Sequence, residues 1–309
     1  MLVKALPDFG TCLSYSISAR RNLVYIYKKQ SGNNIDTERH SEIVKNTIDR
    51  SYEGRGIVSR IMEKYPSEED QDLLSPAGNS VSKLEIVIIP NICQYNKEEQ
   101  VKLVKMIKNC NSGGSRSSRI FIGMVPWAMA DHERHIISMR DWLKHRFWIA
   151  CLEPNETDSV NLRTEPSYDI PYTEVHCSPA VRRYVLDVMV HLRMHRFVDI
   201  TKGGGIQTMA LNDVIVLSQL ISKTTFKKNF ITPEHVKIAC IWYFPLHIDM
   251  LKDASIDTTV QYGSRPDMID DFLDKLYKLN DEEAKKIENP LFLETLVVHD
   301  VLNKIVPPV

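Results

Sequence analysis

Side chains that could hold a proton, a metal or an anion at a fixed spacing are few in this chain. His191 and His195 stand four residues apart on a predicted helix, the spacing that puts two imidazoles on one face of a zinc hydrolase. Leu192 occupies the position where that chemistry needs a glutamate, so a structural or exposed pair is expected instead. Six cysteines, Cys12, Cys93, Cys110, Cys151, Cys177 and Cys240, include no C-x-x-C pair; they are expected to be reduced, mostly buried and without zinc. There is no G-x-S-x-G elbow and no G-x-x-x-x-G-K-[ST] loop.

The remaining candidates are basic. Lys28 and Lys29 close an apolar run and lead through a polar loop into a predicted helix, whose N-terminus would attract an anion; a solvated basic turn is the bland alternative. Arg182, Arg183, Arg193, Arg196 and Lys202 outnumber Asp187 and Asp199 on a second predicted helix. That helix could meet an acidic partner, a phosphate backbone or only solvent. Residues 249–289 have the opposite sign, with eleven Asp or Glu against six Lys or Arg, and read as an acidic helix pair that could complement the basic one within or between subunits.

The elements that must position these residues follow from composition and periodicity. The chain has 309 residues, enough for about two domains, and its 43% hydrophobic and 26% charged content is that of a core-forming globular protein. With 39 Lys or Arg and 40 Asp or Glu, no global positive charge drives nucleic-acid binding. The first residues lack the apolar core of a signal peptide and no apolar run is long enough to span a bilayer, so neither export nor membrane insertion is expected. Asn155-Glu156-Thr157 matches a glycosylation acceptor and is read as loop.

Leu23–Tyr27 reads as a buried strand, followed by a loop around Gly32 and a helix over residues 36–50. A weak strand is expected near Gly56-Ile57-Val58 and a polar excursion over residues 64–82. Leu84–Ile89 is apolar throughout, as a parallel strand buried on both faces must be. A helix over 96–109, a strand over Ile120–Val125 and another over Phe147–Cys151 complete an alternating α/β pattern with a mainly parallel sheet. Residues 153–175, with Pro154, Pro166 and Pro171, read as a linker between an α/β domain over 1–152 and a helical domain over 176–309. The helical part starts at Ser178-Pro179, breaks at Gly203-Gly204-Gly205, restarts at Leu211 and Thr232-Pro233, and continues with helices from Pro266 to Leu279 and from Asn289-Pro290 to the Pro307-Pro308 stop.

This order resembles the AAA+ ATPases of the MoxR and magnesium-chelatase type. Leu23 to Ile48 resembles the first strand, phosphate loop and helix, and Ile86–Ile92 the Walker B strand. Asn96 to Lys108 resembles the helix that follows it, and Arg119 to Trp127 the sensor 1 strand. Leu143-Lys144-His145-Arg146-Phe147 resembles the family's leucine-x-x-Arg-Phe segment, and Phe230–Val236 the lid's Val-Thr-Pro-x-x-Val. The chemical positions depart from the pattern. The loop has the single glycine Gly32, followed by Asn33 and Asn34 in place of Gly-Lys-Thr; Ile89 is followed by Pro90 and Asn91 in place of acids; the sensor asparagine and sensor 2 arginine are missing. Lys28, Lys29 and Gly32 are what remains of a phosphate site, and the resemblance implies for Arg146 a place at a subunit boundary.

A more specific resemblance is to the fungal maintenance of telomere capping protein 2 family. It is carried by Leu6-Pro7-Asp8-Phe9-Gly10-Thr11-Cys12-Leu13, Glu85–Pro90, Arg119–Gly123, Trp142–Trp148, Val181-Arg182-Arg183-Tyr184, Trp242-Tyr243-Phe244-Pro245, Glu288–Glu294 and Val306–Val309. The resemblances together imply a P-loop-like, AAA+-type parallel sheet domain without a working P-loop, followed by a helical lid. The expected function is non-catalytic interaction or scaffolding connected with telomere capping. No cofactor or membrane contact is expected, the protein partner is unnamed, direct telomeric DNA contact and oligomerisation are open, and the compartment is cytoplasm or nucleus. The alternatives are an unconventional nucleotide-binding ATPase using Lys28, Lys29, Gly32 and Arg146, or nucleic-acid binding through Arg182, Arg183, Arg193 and Arg196.

Overall fold

A computed structural model describes residues 6–29, 35–62, 84–111, 119–128, 139–153 and 169–308. They form two compact units, one drawn from residues 7–169 and the other from Leu6 with residues 170–308.

The first unit is α/β. Helix α1 (Phe9–Ala19) precedes β1 (Leu23–Lys29), α2 (Ile35–Ser51), β2 (Ile57–Ile61), β3 (Leu84–Ile89), α3 (Lys97–Asn111), β4 (Arg119–Ala128), the short α4 (Asp141–Lys144) and β5 (Ile149–Leu152). The five strands make one sheet in the order β2-β3-β4-β1-β5, and every pair is parallel. Leu23, Val24, Ile26, Ile86 to Ile89, Ile120 and Ile122 are fully buried, as a sheet covered on both faces requires. Helix α1 was not expected from the sequence. Asp8 caps it, accepting from the Thr11 amide at 2.8 Å, and Arg20 ends it in the left-handed conformation at φ 55°. It packs against β5 and β1, with Phe9 edge-on to Tyr25 at 5.1 Å.

Asn22 fastens the amino-terminal edge of the sheet. Its side chain donates to the Arg146 carbonyl at 2.7 Å and accepts from the Phe121 amide at 3.0 Å, while its own carbonyl accepts from the Trp148 amide at 2.9 Å. One residue therefore ties the start of β1 to β4 and to the segment entering β5. Beside it, Glu85 of β3 accepts from Arg119 Nε at 2.6 Å and meets Arg60 Nε of β2 at 3.3 Å, a cross-strand pair set by the parallel register.

The second unit is helical: α5 (Pro179–Arg193), α6 (Ala210–Thr224), α7 (Pro233–His247), α8 (Pro266–Ile287) and α9 (Phe292–Lys304). Ser178 caps α5, accepting from the Val181 amide at 3.3 Å, with Pro179 at the first helical position. Val181, Tyr184, Val185, Val188 and Leu192 are its buried stripe. The glycine break is a left-handed turn: Gly203, Gly204 and Gly205 have φ of 63°, 64° and 74°. A Cβ on Gly205 would lie 2.3 Å from the His247 carbonyl oxygen, so the residue after this turn must be glycine for the backbones to approach.

Several expected boundaries move. The fourth helix continues beyond Leu279 to Ile287, because Leu273, Asn280 and Ala284 keep one buried line. Residues 249–289 hold that single helix behind two 3₁₀ turns (Ala254–Ile256 and Thr258–Tyr262), not a helix pair, and Leu251, Ala254, Ile269 and Leu273 form a small core beneath it. The last helix starts at Phe292, with Asn289 accepting from the Leu291 amide at 3.0 Å before it. Of the expected linker, Glu153 is held against β1 and residues 170–175 pack into the helical unit, where Gln219 donates to the Val175 carbonyl at 2.9 Å; residues 154–168, with Asn155, lie outside the described residues. Among the described residues no helix is long and apolar enough to cross a membrane.

Candidate functional site

In a parallel sheet, ligands bind beyond the carboxyl ends of strands whose connections leave in opposite directions. Here β1 connects to β2 at the far edge beyond β4, and β4 connects to β5 on the other side of β1, so the carboxyl ends of β1 and β4 form such a switch point. Register places Tyr27 opposite Pro126 and Lys28 opposite Trp127 at that end.

The described groups around it are already engaged with one another. Glu153, just past β5, continues the ladder by donating its amide to the Ile26 carbonyl at 2.9 Å. Its carboxylate then folds back onto β1, with Oε2 accepting from the Lys28 amide at 3.1 Å and Oε1 3.1 Å from His40 Nε2 of α2. His40 stacks on Tyr27, ring centroids 4.6 Å apart, and the Tyr27 hydroxyl meets Thr37 Oγ1 at 2.9 Å. Burial, with the Glu153 charge nearby, pushes the Tyr25 hydroxyl far above its ordinary range, so that phenol stays protonated. A negative group thus sits among the donors that β1 and α2 offer at this end of the sheet.

Of the other expected nucleotide contacts, only Arg146 lies fully among the described residues. The Lys29 backbone ends β1, but its side chain lies outside the described residues, as do Gly32 and the loop around it. Arg146 sits at the opposite edge: its carbonyl is bound by Asn22, which precedes β1, about 20 Å from the Lys28 end at the usual strand rise. Arg146 Nε is buried without a hydrogen-bond partner among the described residues, so this guanidinium is partly embedded in its own unit. At the carboxyl end of β3, where Mg²⁺ chemistry needs acids, Pro90 leads into Asn91 in a left-handed conformation (φ 42°), with its side-chain oxygen buried.

In the helical unit the four arginines divide. Arg182 and Arg183 are exposed on α5, and Arg196 is exposed in the turn after it. Arg182 reaches Asn212 Oδ1 at 3.3 Å. Arg193 turns inward and donates twice to the Ile206 carbonyl, at 3.0 and 2.7 Å, closing the glycine turn. Its role is structural, and the four do not make one cationic face. His191 and His195 also part: His191 Nδ1 donates to the Asp187 carbonyl at 2.8 Å, and His195 Nε2 lies 3.1 Å from Asp300 Oδ2. No group of three or more metal-binding side chains occurs among the described residues. Cys12, Cys151 and Cys240 are fully buried; burial pushes the Cys12 and Cys240 thiols up, Cys12 further through the adjoining Cys151 thiol, so neither is a ready nucleophile.

Sequence reading did not single out Glu153 or His40. A lone Glu at the head of a Pro-rich stretch and a lone His inside a charged helix carry no motif, and only the fold brings them together.

The family description "Maintenance of telomere capping protein 2, N-terminal domain" matches residues 7–152, the α/β unit. Proteins named maintenance of telomere capping protein 2 are similar over the whole chain. One from Zygosaccharomyces rouxii is 44% identical with 100% of each chain covered. One from Saccharomyces cerevisiae is 36% identical over 98% of this chain and 99% of its own, and one from Vanderwaltozyma polyspora is 30% identical over 98% of each. On this full-length similarity, the chain belongs to the maintenance of telomere capping protein 2 family.

Proposed function

We propose that the protein is a non-catalytic, AAA+-like interaction or scaffold protein that serves telomere capping. The observation carrying the non-catalytic part is the Glu153 carboxylate on the Lys28 amide and beside His40, at the switch point where a nucleotide's phosphates would lie. A phosphate bound at this point would meet this negative charge. The AAA+-like reading is supported by the all-parallel sheet with its switch point after β1 and by the helical unit that follows. The connection with telomere capping rests on the relatives' names, and it supports work inside the cell, in the cytoplasm or the nucleus.

The experiment is a titration of the purified chain with labelled ATP and ADP in Mg²⁺, with Lys28→Ala/Lys29→Ala as control. Absence of saturable binding is expected. Saturable binding abolished by the double substitution would replace this reading by an unconventional nucleotide-binding protein.

A further inference from the structure

The helical unit exposes apolar side chains at helical spacing on two of its helices. On α5 they are Leu186, Val190 and the residue that ends it, Met194, at 40%, 50% and 72% exposure and four residues apart. On α8 they are Met268, Phe272 and Leu279, at 62%, 44% and 55%. The two stripes adjoin, because Phe197, three residues past Met194, stacks on Phe272 with ring centroids 5.8 Å apart. Isolated exposed apolar residues are ordinary, but two adjoining stripes make a patch of the kind that marks an interface.

The charges around the patch decide what covers it. The α5 side is basic: Arg182, Arg183 and Arg196 are exposed there, Arg193 being turned inward, against the single acid Asp187. On the α8 side Asp267 is paired with Arg265 and Asp270 accepts from the Ala254 amide at 3.0 Å, while Asp271, Asp274 and Glu282 are exposed, with Glu282 on the same flank as Asp271; Lys275 is the cation nearest the stripe in sequence spacing. The two stripes, joined through Phe197 and Phe272, are therefore basic on the α5 side and acidic on the α8 side. Packing α5 on α5 of another copy would set arginines against arginines, and α8 on α8 would set the aspartates together. A twofold relation that lays α5 of one copy on α8 of the other, and the reverse, pairs apolar stripe with apolar stripe and opposite charges at both contacts.

We propose that this surface is a self-complementary dimer interface whose occupant is a second copy of the chain, α5 on α8 and α8 on α5. The inference concerns the helical unit alone and goes beyond the proposed function; nucleotide binding or its absence leaves it standing.

Sedimentation equilibrium of the full chain tests it. A concentration-dependent dimer is expected, weakened by salt because its flanks are charged. Val190→Glu and Met268→Glu should each weaken the dimer by about tenfold or more while leaving the circular dichroism spectrum unchanged, since both side chains are exposed. The decisive arm is charge reversal. Arg183→Glu/Arg196→Glu and Asp271→Lys/Glu282→Lys should each be monomeric alone and form a heterodimer when mixed, because the mixture restores opposite charges at both contacts. A monomeric wild-type chain at every soluble concentration overturns the proposal and leaves the patch to a different protein. A dimer indifferent to these substitutions, or a mixture that stays monomeric, overturns it as well.

Discussion

Glu153 Oε2 accepts the Lys28 amide at 3.1 Å while Oε1 of the same carboxylate faces His40 Nε2 at 3.1 Å, so one side chain just past the edge strand β5 closes the end of its neighbour β1. The group is about three-quarters buried, and removing it takes an acceptor from the Lys28 amide and a partner from His40 in a poorly solvated place. Glu153→Ala should cost about 1–3 kcal/mol of unfolding free energy, and Glu153→Gln, which keeps an acceptor, less. Urea unfolding of the three proteins checks this; equal midpoints would mean that the carboxylate holds nothing.

Asn22 carries a comparable load at the other edge of the sheet, with three hydrogen bonds reaching β4 and the residues before β5. Asn22→Ala leaves the Phe121 amide and the Arg146 carbonyl without that side chain, and should destabilise the α/β unit by about 1–3 kcal/mol. Thermal unfolding followed by circular dichroism reads the shift.

Gly205 combines a φ of 74° with a carbonyl oxygen 2.3 Å from where a Cβ would stand. Gly205→Ala should lose about 3 kcal/mol or more, from backbone strain and overpacking together. Gly203, with open space around its would-be Cβ, bears only the conformational part, so Gly203→Ala should be the milder change. Denaturation midpoints of the pair test the ranking.

His235 is fully buried, accepts the Thr232 amide on Nδ1 at 3.2 Å, and has no hydrogen-bond partner for Nε2 among the described residues. Burial, helped by the Lys228 charge, lowers its pKa below the ordinary value, and burial lowers that of His299 too. A histidine with a folded pKa below its unfolded value of about 6.5 takes up its proton more readily in the unfolded chain. Its contribution is complete above that value and is lost as pH falls toward the folded one. Stability should therefore decline on acidification from pH ~7 to ~5. In His235→Gln the chain should be less stable at neutral pH but show a shallower decline. Unfolding free energies across that range measure both slopes.

Much of the fold is legible in the sequence for a physical reason. Strands buried on both faces must be apolar throughout, so Leu23–Tyr27, Leu84–Ile89 and Ile120–Val125 stand out, and Ser178-Pro179 and Thr232-Pro233 announce helix starts by their capping chemistry. Helix α1 is hidden because Ser14, Tyr15 and Ser16 are among its buried residues, which blurs its apolar stripe. The candidate site is far less legible. Lys28 is prominent as the end of an apolar run, but the group that meets its amide lies 125 residues later, and only the pairing of β1 with β5 brings Glu153 there. Arg193 looks like its neighbours Arg182 and Arg183 in sequence, and turns inward because the glycine turn presents the Ile206 carbonyl to it.

The end of β1 is closed by the chain's own carboxylate, and on the proposed function it does not work as a nucleotide site. Titration of the purified chain with labelled ATP and ADP in Mg²⁺ tests it most directly, with Lys28→Ala/Lys29→Ala alongside. No saturable binding up to millimolar nucleotide is expected in either protein. Saturable binding by the wild-type chain that the double substitution abolishes would contradict it.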